Sequence, residues 1–189
     1  MIDFDKKVIL ASASPRRQEL IKLIFDNVEI LPADCDETLP EGIGAREAVE
    51  YLSKIKNEAS AQLTENSNLI ISADTVVSVD EEILGKPVDK ADAKRMLHLL
   101  SGKTHKVITG CAIFKNGRSV SFSETTEVTF YPLTDKEIDD YVDTNEPMDK
   151  AGAYGIQGYG SLLIKGINGD YFNVVGLPVA KLNKVLKRV

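Results

Sequence analysis

The chain has 189 residues, 43% of them hydrophobic, a formal net charge of -6, two cysteines and two histidines. A chain of this size buries most of its unfolded surface without disulfides or a structural metal, as one domain of two lobes or one larger layer structure. The acidic balance argues against a nucleic-acid or anionic-membrane binder, which presents a broad basic face, and two histidines argue against a His-rich zinc site or a Ser-His-Asp triad.

Taken in chain order, the opening "MIDFDKK" carries no secretory core and no apolar run approaches eighteen residues, so a cytoplasmic protein with Cys35 and Cys111 reduced is expected. "KVILAS" reads as a strand and residues 15 to 25 as a helix, with Ser14 as N-cap and Pro15 at the first helical position. Arg16 and Arg17 then sit in the first turn, where the helix dipole disfavours each cation by about 0.3 to 1 kcal/mol, so a negative group is expected nearby. Residues 28 to 33 suggest a second strand, followed by the acidic loop "DCDETLPEGIG". A helix is predicted over 45 to 63, with Ala45, Ala48, Val49, Leu52, Ala59 and Leu63 on one face. "NLIISADTVVSVD" is a nearly continuous apolar run, as in a central strand, and "EEILGKP" its hairpin return. A helix over 90 to 100 is capped by Asp89 and stopped by Gly102. Asn116 and Gly117 mark a type I′ hairpin turn, and "TDKE" at 134 to 137 a capping box. The glycine-rich "KAGAYGIQGYG" leads to a last hairpin, "SLLIKGINGDYFNVVG", and Pro178 opens a C-terminal helix. Crossovers and hairpins together give an α/β mixed sheet.

Three residues sit where their chemistry is costly. Lys56 lies near the middle of the apolar stripe of the 45 to 63 helix, either laying its stem on the core or placing its ammonium in a cleft. Asp74 interrupts an apolar run and must be paired, bound to a metal, or placed where the strand opens to a cleft. Lys86, in "LGKP", reads alone as a surface lysine. His98 and His105 read as surface or half-buried residues. No GxxxxGK[ST] loop occurs, and "GIQGYG" is spaced GxxGxG, which serves turns or close approach of backbone to a ligand.

Together these candidates supply two arginines, two lysines and backbone N–H donors for phosphate oxygens. Asp74, with an acid from "DCDET", offers hard oxygen ligands for Mg²⁺ or Mn²⁺, which would polarise a phosphoryl oxygen and lower the pKa of a water. This combination points to hydrolysis of a phosphate ester or anhydride.

"LASASPRRQEL", "ADTVV", "LGKP" and "EPMDKAGAYGIQG", in this order over nearly the whole chain, resemble the Maf family of nucleoside triphosphate pyrophosphatases. The resemblance implies one domain over residues 1 to 189, with an elongated mixed sheet flanked by helices and two lobes around a cleft, similar to the inosine triphosphate pyrophosphatases. It also implies divalent-metal-dependent cleavage between the α and β phosphates, and a homodimer. Carried over by motif position, Ser12, Arg16 and Arg17 engage phosphate, Glu37 and Asp74 serve metal and water activation, and Lys56 and Lys86 stabilise charge on the triphosphate. Asp36 is the alternative to Glu37. Arg16, Thr75 and Gln157 resemble the branch acting on dTTP and UTP, as opposed to the branch acting on 7-methyl-GTP. A glutamine amide offers a donor and an acceptor to a uracil or thymine edge, and a wrong base would leave buried groups unpaired.

The expected function is therefore hydrolysis of dTTP and UTP, with modified pyrimidine nucleotides as further substrates, to a nucleoside monophosphate and pyrophosphate. The alternative is a nucleotide-binding regulator of cell division or septum formation that needs no hydrolysis. A carboxylate beside phosphates favours the hydrolase, since a pure binder gains nothing from it unless a metal intervenes.

Overall fold

The computed structural model describes residues 6–32, 34–65 and 68–189. Among the described residues, seven strands form one sheet in the order β2-β1-β3-β5-β6-β7, with β4 paired to β3. The strands are β1 (Val8–Leu10), β2 (Glu29–Ile30), β3 (Leu69–Val79), β4 (Glu82–Leu84), β5 (Thr104–Lys115), β6 (Arg118–Phe130) and β7 (Ile164–Asn168). The helices are α1 (Pro15–Ile21), α2 (Ala45–Ala61), α3 (Lys90–Leu100), α4 (Asp135–Asp143), α5 (Tyr171–Val175) and α6 (Val179–Leu186). Parallel pairing of β1 with β2 and β3 requires crossovers, which α1 and α2 supply; β4 returns antiparallel on β3, as does β7 on β6. The expected mixed α/β sheet flanked by helices is what forms.

The chain divides into two compact units. The first contains the chain up to Asp74 with Thr109–Glu124 and Gly176–Val189. Its sheet strands are short aliphatic runs: Ile9, Ala11 and Ile70 form a buried cluster against Leu31, Ala61 and Phe114. Helix α2 buries Ala48, Val49 and Leu52 as its spacing predicts, but its inward face also carries Ser53, Asn57 and Ser60. These polar groups are affordable because each donates to a carbonyl: Asn57 Nδ2 to Ile70 and Ala112, both at 3.1 Å, and Ser60 Oγ to Leu31 at 2.9 Å. Ser53 Oγ turns back to Glu50 O at 3.0 Å. Glycine is required at position 110, where a Cβ would stand 2.3 Å from the Val49 carbonyl oxygen, so α2 lies directly on the β5 backbone.

The second unit contains Thr75–Ile108 and Thr125–Val175. Its core gathers Val77, Leu84, Leu97, Leu100, Phe130 and Ile138 around Tyr141 and Tyr154. Asp89 caps α3 by accepting from the Asp92 N–H at 2.8 Å, and Thr134 with Glu137 forms the predicted capping box of α4. Asn116 and Gly117 both adopt positive φ, as a type I′ turn requires.

Several expectations are corrected. Helix α1 ends at Ile21, four residues early, and Leu23 is exposed. Ser14 occupies the N-cap position without a side-chain cap bond. The second strand covers only Glu29–Ile30, and residue 33, its expected end, lies outside the described residues. Leu63 lies beyond α2 and is exposed. The last predicted hairpin is one strand, β7, followed by α5. Asp170 Oδ1 accepts the Phe172 N–H at 2.8 Å, while Asn173 Nδ2 donates to Val107 O and Thr126 Oγ1, both at 3.0 Å. Those bonds hold as a helix a segment whose aromatic and β-branched residues favour a strand.

Candidate active site

Ser12 leaves the buried end of β1, where the Ala11 N–H still pairs with Ile71 O at 2.8 Å. Its hydroxyl accepts from the Ser14 N–H and from Arg17 Nη1, each at 3.3 Å. Arg17 Nε also donates to the Gly176 carbonyl at 2.9 Å. The guanidinium is thus fixed by two segments far apart in sequence. Burial lowers its pKa, and Arg16 adds to the fall, while the carboxylates of Asp74 and Glu37 oppose it. Arginine keeps its charge under such a shift. The conflict with the dipole of α1, whose first turn contains no acid, is therefore eased by Asp74 and Glu37, which come from other elements.

Lys56 is the hub of the acids. Its Nζ lies 2.5 Å from Asp74 Oδ1 and 2.8 Å from Glu37 Oε2. The Lys56 and Asp74 side chains are 17% and 14% exposed, whereas Glu37 is 55% exposed, so the network runs from sheltered to open. Burial by itself depresses the Lys56 ammonium; Asp74 and then Glu37 outweigh it and hold the group above its ordinary pKa. Asp36, next to Glu37, is turned away: its Oδ1 accepts from the Thr38 N–H at 2.9 Å and the Thr38 hydroxyl at 2.6 Å. The seat of α2 sets this geometry. Besides Asn57 and Gly110, Ser72 Oγ of β3 donates to Ser53 O at 2.6 Å, so the strand that bears Asp74 is bonded directly to the helix that bears Lys56.

Two carboxylate oxygens that share one ammonium are no more than 5.3 Å apart. Among the described residues no group of three His, Cys, Asp or Glu forms a closed metal cage. Two carboxylates supply hard oxygen donors of the kind a divalent ion accepts when further oxygen ligands complete its shell.

The structure thus brings together Ser12 with Arg17, and Glu37 and Asp74 with Lys56, all in the first unit. Thr75, Lys86 and Gln157 belong to the second unit. Thr75 follows Asp74 in β3 and is half-buried; Lys86, between β4 and α3, is exposed. Gln157 is exposed at the start of the 3-10 segment Gly158–Leu163.

His105 departs from expectation. It is 2% exposed, with Nε2 2.7 Å from the Tyr154 hydroxyl and its ring edge-on to Phe130 and Tyr154. The strand alternation of β5 turns it inward, and burial pushes its pKa down to about 4. One partner escapes the sequence reading: the Gly176 carbonyl that holds Arg17 leaves no linear signal.

Comparison with known proteins follows the same pattern. A family model described as Maf-like protein matches residues 7–189. A dTTP/UTP pyrophosphatase of Bacillus cytotoxicus is 49% identical over 97% of this chain and 95% of its own length, and one of Bacillus cereus is 48% identical over the same shares. Among solved structures, a HAM1 protein from Coxiella burnetii superposes with a TM-score of 0.57 at 15% identity, covering 97% of this chain and 100% of that one. That last likeness concerns the fold alone. With the family model spanning all but the first residues and relatives near half identical along the whole length, the chain belongs to the Maf-like protein family.

Proposed function

We propose that the protein is a nucleoside triphosphate pyrophosphatase that hydrolyses dTTP and UTP between the α and β phosphates. The observation that carries this reading is the sheltered Lys56 ammonium held between Asp74 and Glu37, in the electrostatic neighbourhood of Arg17. Relatives named dTTP/UTP pyrophosphatase support the substrate class.

Asp74 orients the attacking water and takes its proton as the oxygen bonds to the α phosphorus. The bond from that phosphorus to the bridging oxygen breaks, and pyrophosphate leaves with the electron pair. Lys56, whose Nζ lies 2.5 Å from Asp74 Oδ1, is assigned to fixing that carboxylate. Ser12, Arg16 and Arg17 bind phosphate oxygens, with Arg17 already oriented by Ser12 and Gly176. Lys86 adds positive charge to the polyphosphate. Glu37 and Asp74 would hold Mg²⁺ or Mn²⁺, which when bound polarises phosphoryl oxygens and neutralises charge on the leaving group. Gln157, with Thr75 and Arg16, is assigned to pyrimidine recognition, and modified pyrimidine nucleotides that keep the same amide edge are accepted too.

Product analysis tests this. Incubation with UTP and Mg²⁺ or Mn²⁺ is expected to give UMP and pyrophosphate in equal amounts. Release of UDP and orthophosphate, or tight UTP binding without turnover, would overturn the reading, the second outcome in favour of a nucleotide-binding regulator.

A further inference from the structure

The glycine-rich segment that bears Gln157 contains little to hold its shape by itself. Gly152 and Gly158 have positive φ, and Gln157 has no side-chain cap bond. One carboxylate organises it. Glu146 Oε2 accepts the Tyr159 N–H at 2.9 Å, and Oε1 accepts the Gly160 N–H at 2.9 Å and the Tyr141 hydroxyl at 3.0 Å. The same Tyr141 oxygen accepts the Gly155 N–H at 3.2 Å. One end of the 155 to 160 turn is thereby tied to Glu146 itself and the other to the Tyr141 hydroxyl that donates to it, with Gln157 on the span between them.

The glycine spacing has its cause here. A Cβ on Gly158 would stand 2.4 Å from Glu146 Oε2, and one on Gly160 would stand 2.3 Å from Gly155 O and 2.6 Å from the Tyr141 oxygen. Glu146 is itself placed firmly. Helix α4 ends at Asp143, Asn145 turns the chain with φ of 59°, and the Glu146 N–H donates to Thr144 Oγ1 at 3.1 Å. Burial works against the Glu146 charge, but the two backbone N–H groups, Tyr141 and Lys150 outweigh it, so the carboxylate stays ionised with both oxygens as acceptors.

We infer that Glu146 is a positioning residue for nucleobase specificity: acting on Gly155 through Tyr141 and directly on Tyr159 and Gly160, it holds the turn that presents Gln157 to the base. This rests on the proposed hydrolysis of UTP. The inference differs from a general structural role because the effect should pass through Gln157 and touch only base recognition.

Glu146→Gln is nearly isosteric, but its NH₂ meets a donor in either orientation: the Tyr159 N–H at the Oε2 position, or the Gly160 N–H and the Tyr141 hydroxyl at the Oε1 position. For this variant the KM for UTP should rise at least tenfold, kcat at saturation should stay within twofold, and the preference for UTP over CTP in kcat/KM should fall at least fivefold. Inhibition by inorganic tripolyphosphate, which has no base, should be unchanged. Tyr141→Phe, which keeps the buried ring and removes only the Gly155 arm, should show a smaller loss of the same kind. In a Gln157→Ala background, Glu146→Gln should change the UTP to CTP preference by less than twofold, because the residue through which it acts is gone. A parental protein that forms no UMP from UTP overturns the proposed function and this inference together. A parental protein that prefers UTP, paired with a Glu146→Gln variant of unchanged KM and preference, overturns the clamp alone. So does an equal loss on every nucleotide, or full additivity with Gln157→Ala. If Glu146→Gln fails to fold, Tyr141→Phe decides by the same measurements.

Discussion

Lys56 and His105 are both withdrawn from water, one in each unit, and their partners are opposite in kind. Lys56 meets two carboxylates and stays charged. His105 meets a neutral phenol and two aromatic rings, and its Nδ1 has no hydrogen-bond partner among the described residues. Burial therefore does not mark chemistry by itself. A lysine with counter-charges on a part-open network can answer an incoming polyanion, whereas a neutral imidazole packed edge-on to aromatics contributes to the core and carries no catalytic proton at neutral pH.

The largest expected effect breaks the comparison on the Lys56 side. Asp74→Asn keeps the shape of the acid and removes its basicity, so turnover of UTP should fall about 10³-fold, within the range of a lost general base, while thermal unfolding stays cooperative. A variant running near the parental rate would show that Asp74 is only a partner for Lys56.

The next effect sharpens the His105 side. An unfolded chain protonates histidine near its ordinary pKa of 6.5, whereas the folded protein resists until about 4. Stability from this group is complete above pH 6.5 and is lost as pH falls toward 4, by about 3 kcal/mol in all. His105→Phe should flatten that acid limb in urea titrations at stepped pH while lowering stability at pH 7, where it leaves the Tyr154 hydroxyl unpaired. An acid limb of unchanged slope would mean that other groups carry it.

The smallest effect concerns the cost of unpairing. Lys56→Met removes the ammonium that Asp74 and Glu37 share and leaves only the more distant charge of Arg17 near them. Because Glu37 is more than half exposed, the loss is set below that of a fully buried pair, at about 2 kcal/mol in chemical denaturation. Adding Asp74→Asn to Lys56→Met should recover part of it, with a coupling of about 1 kcal/mol. Strict additivity would imply that the pair is too well solvated to matter to stability.

Local rules made much of the architecture legible. Asp89, the Thr134 capping box and the Asn116-Gly117 turn act through bonds within a few residues, and each forms as read. The boundaries that shifted depend on distant partners: the Asp170 and Asn173 bonds to Thr126 and Val107 turn an apparent strand into α5. In the candidate site, Lys56 and Asp74 were visible because a charge in an apolar stripe needs an explanation, and each is the other's partner. Motif position placed Glu37 ahead of Asp36, and the loop turns the two acids to different partners, Lys56 and Thr38. The Gly176 carbonyl was illegible, since any residue has one. His105 was misjudged because one inward-facing histidine on an alternating strand resembles many outward-facing ones.

One close approach has a consequence for how this scaffold tolerates change. Where α2 crosses β5 at Gly110, backbone rests on backbone, with no side chain between them to be trimmed or swollen. Adjusting the reach of Lys56 by small steps is closed off there, as on a lathe whose carriage meets a fixed stop. Even alanine at that spot would jack the whole helix off its bed and carry the ammonium with it, so gradual retuning of this centre has to proceed through the tips of the side chains.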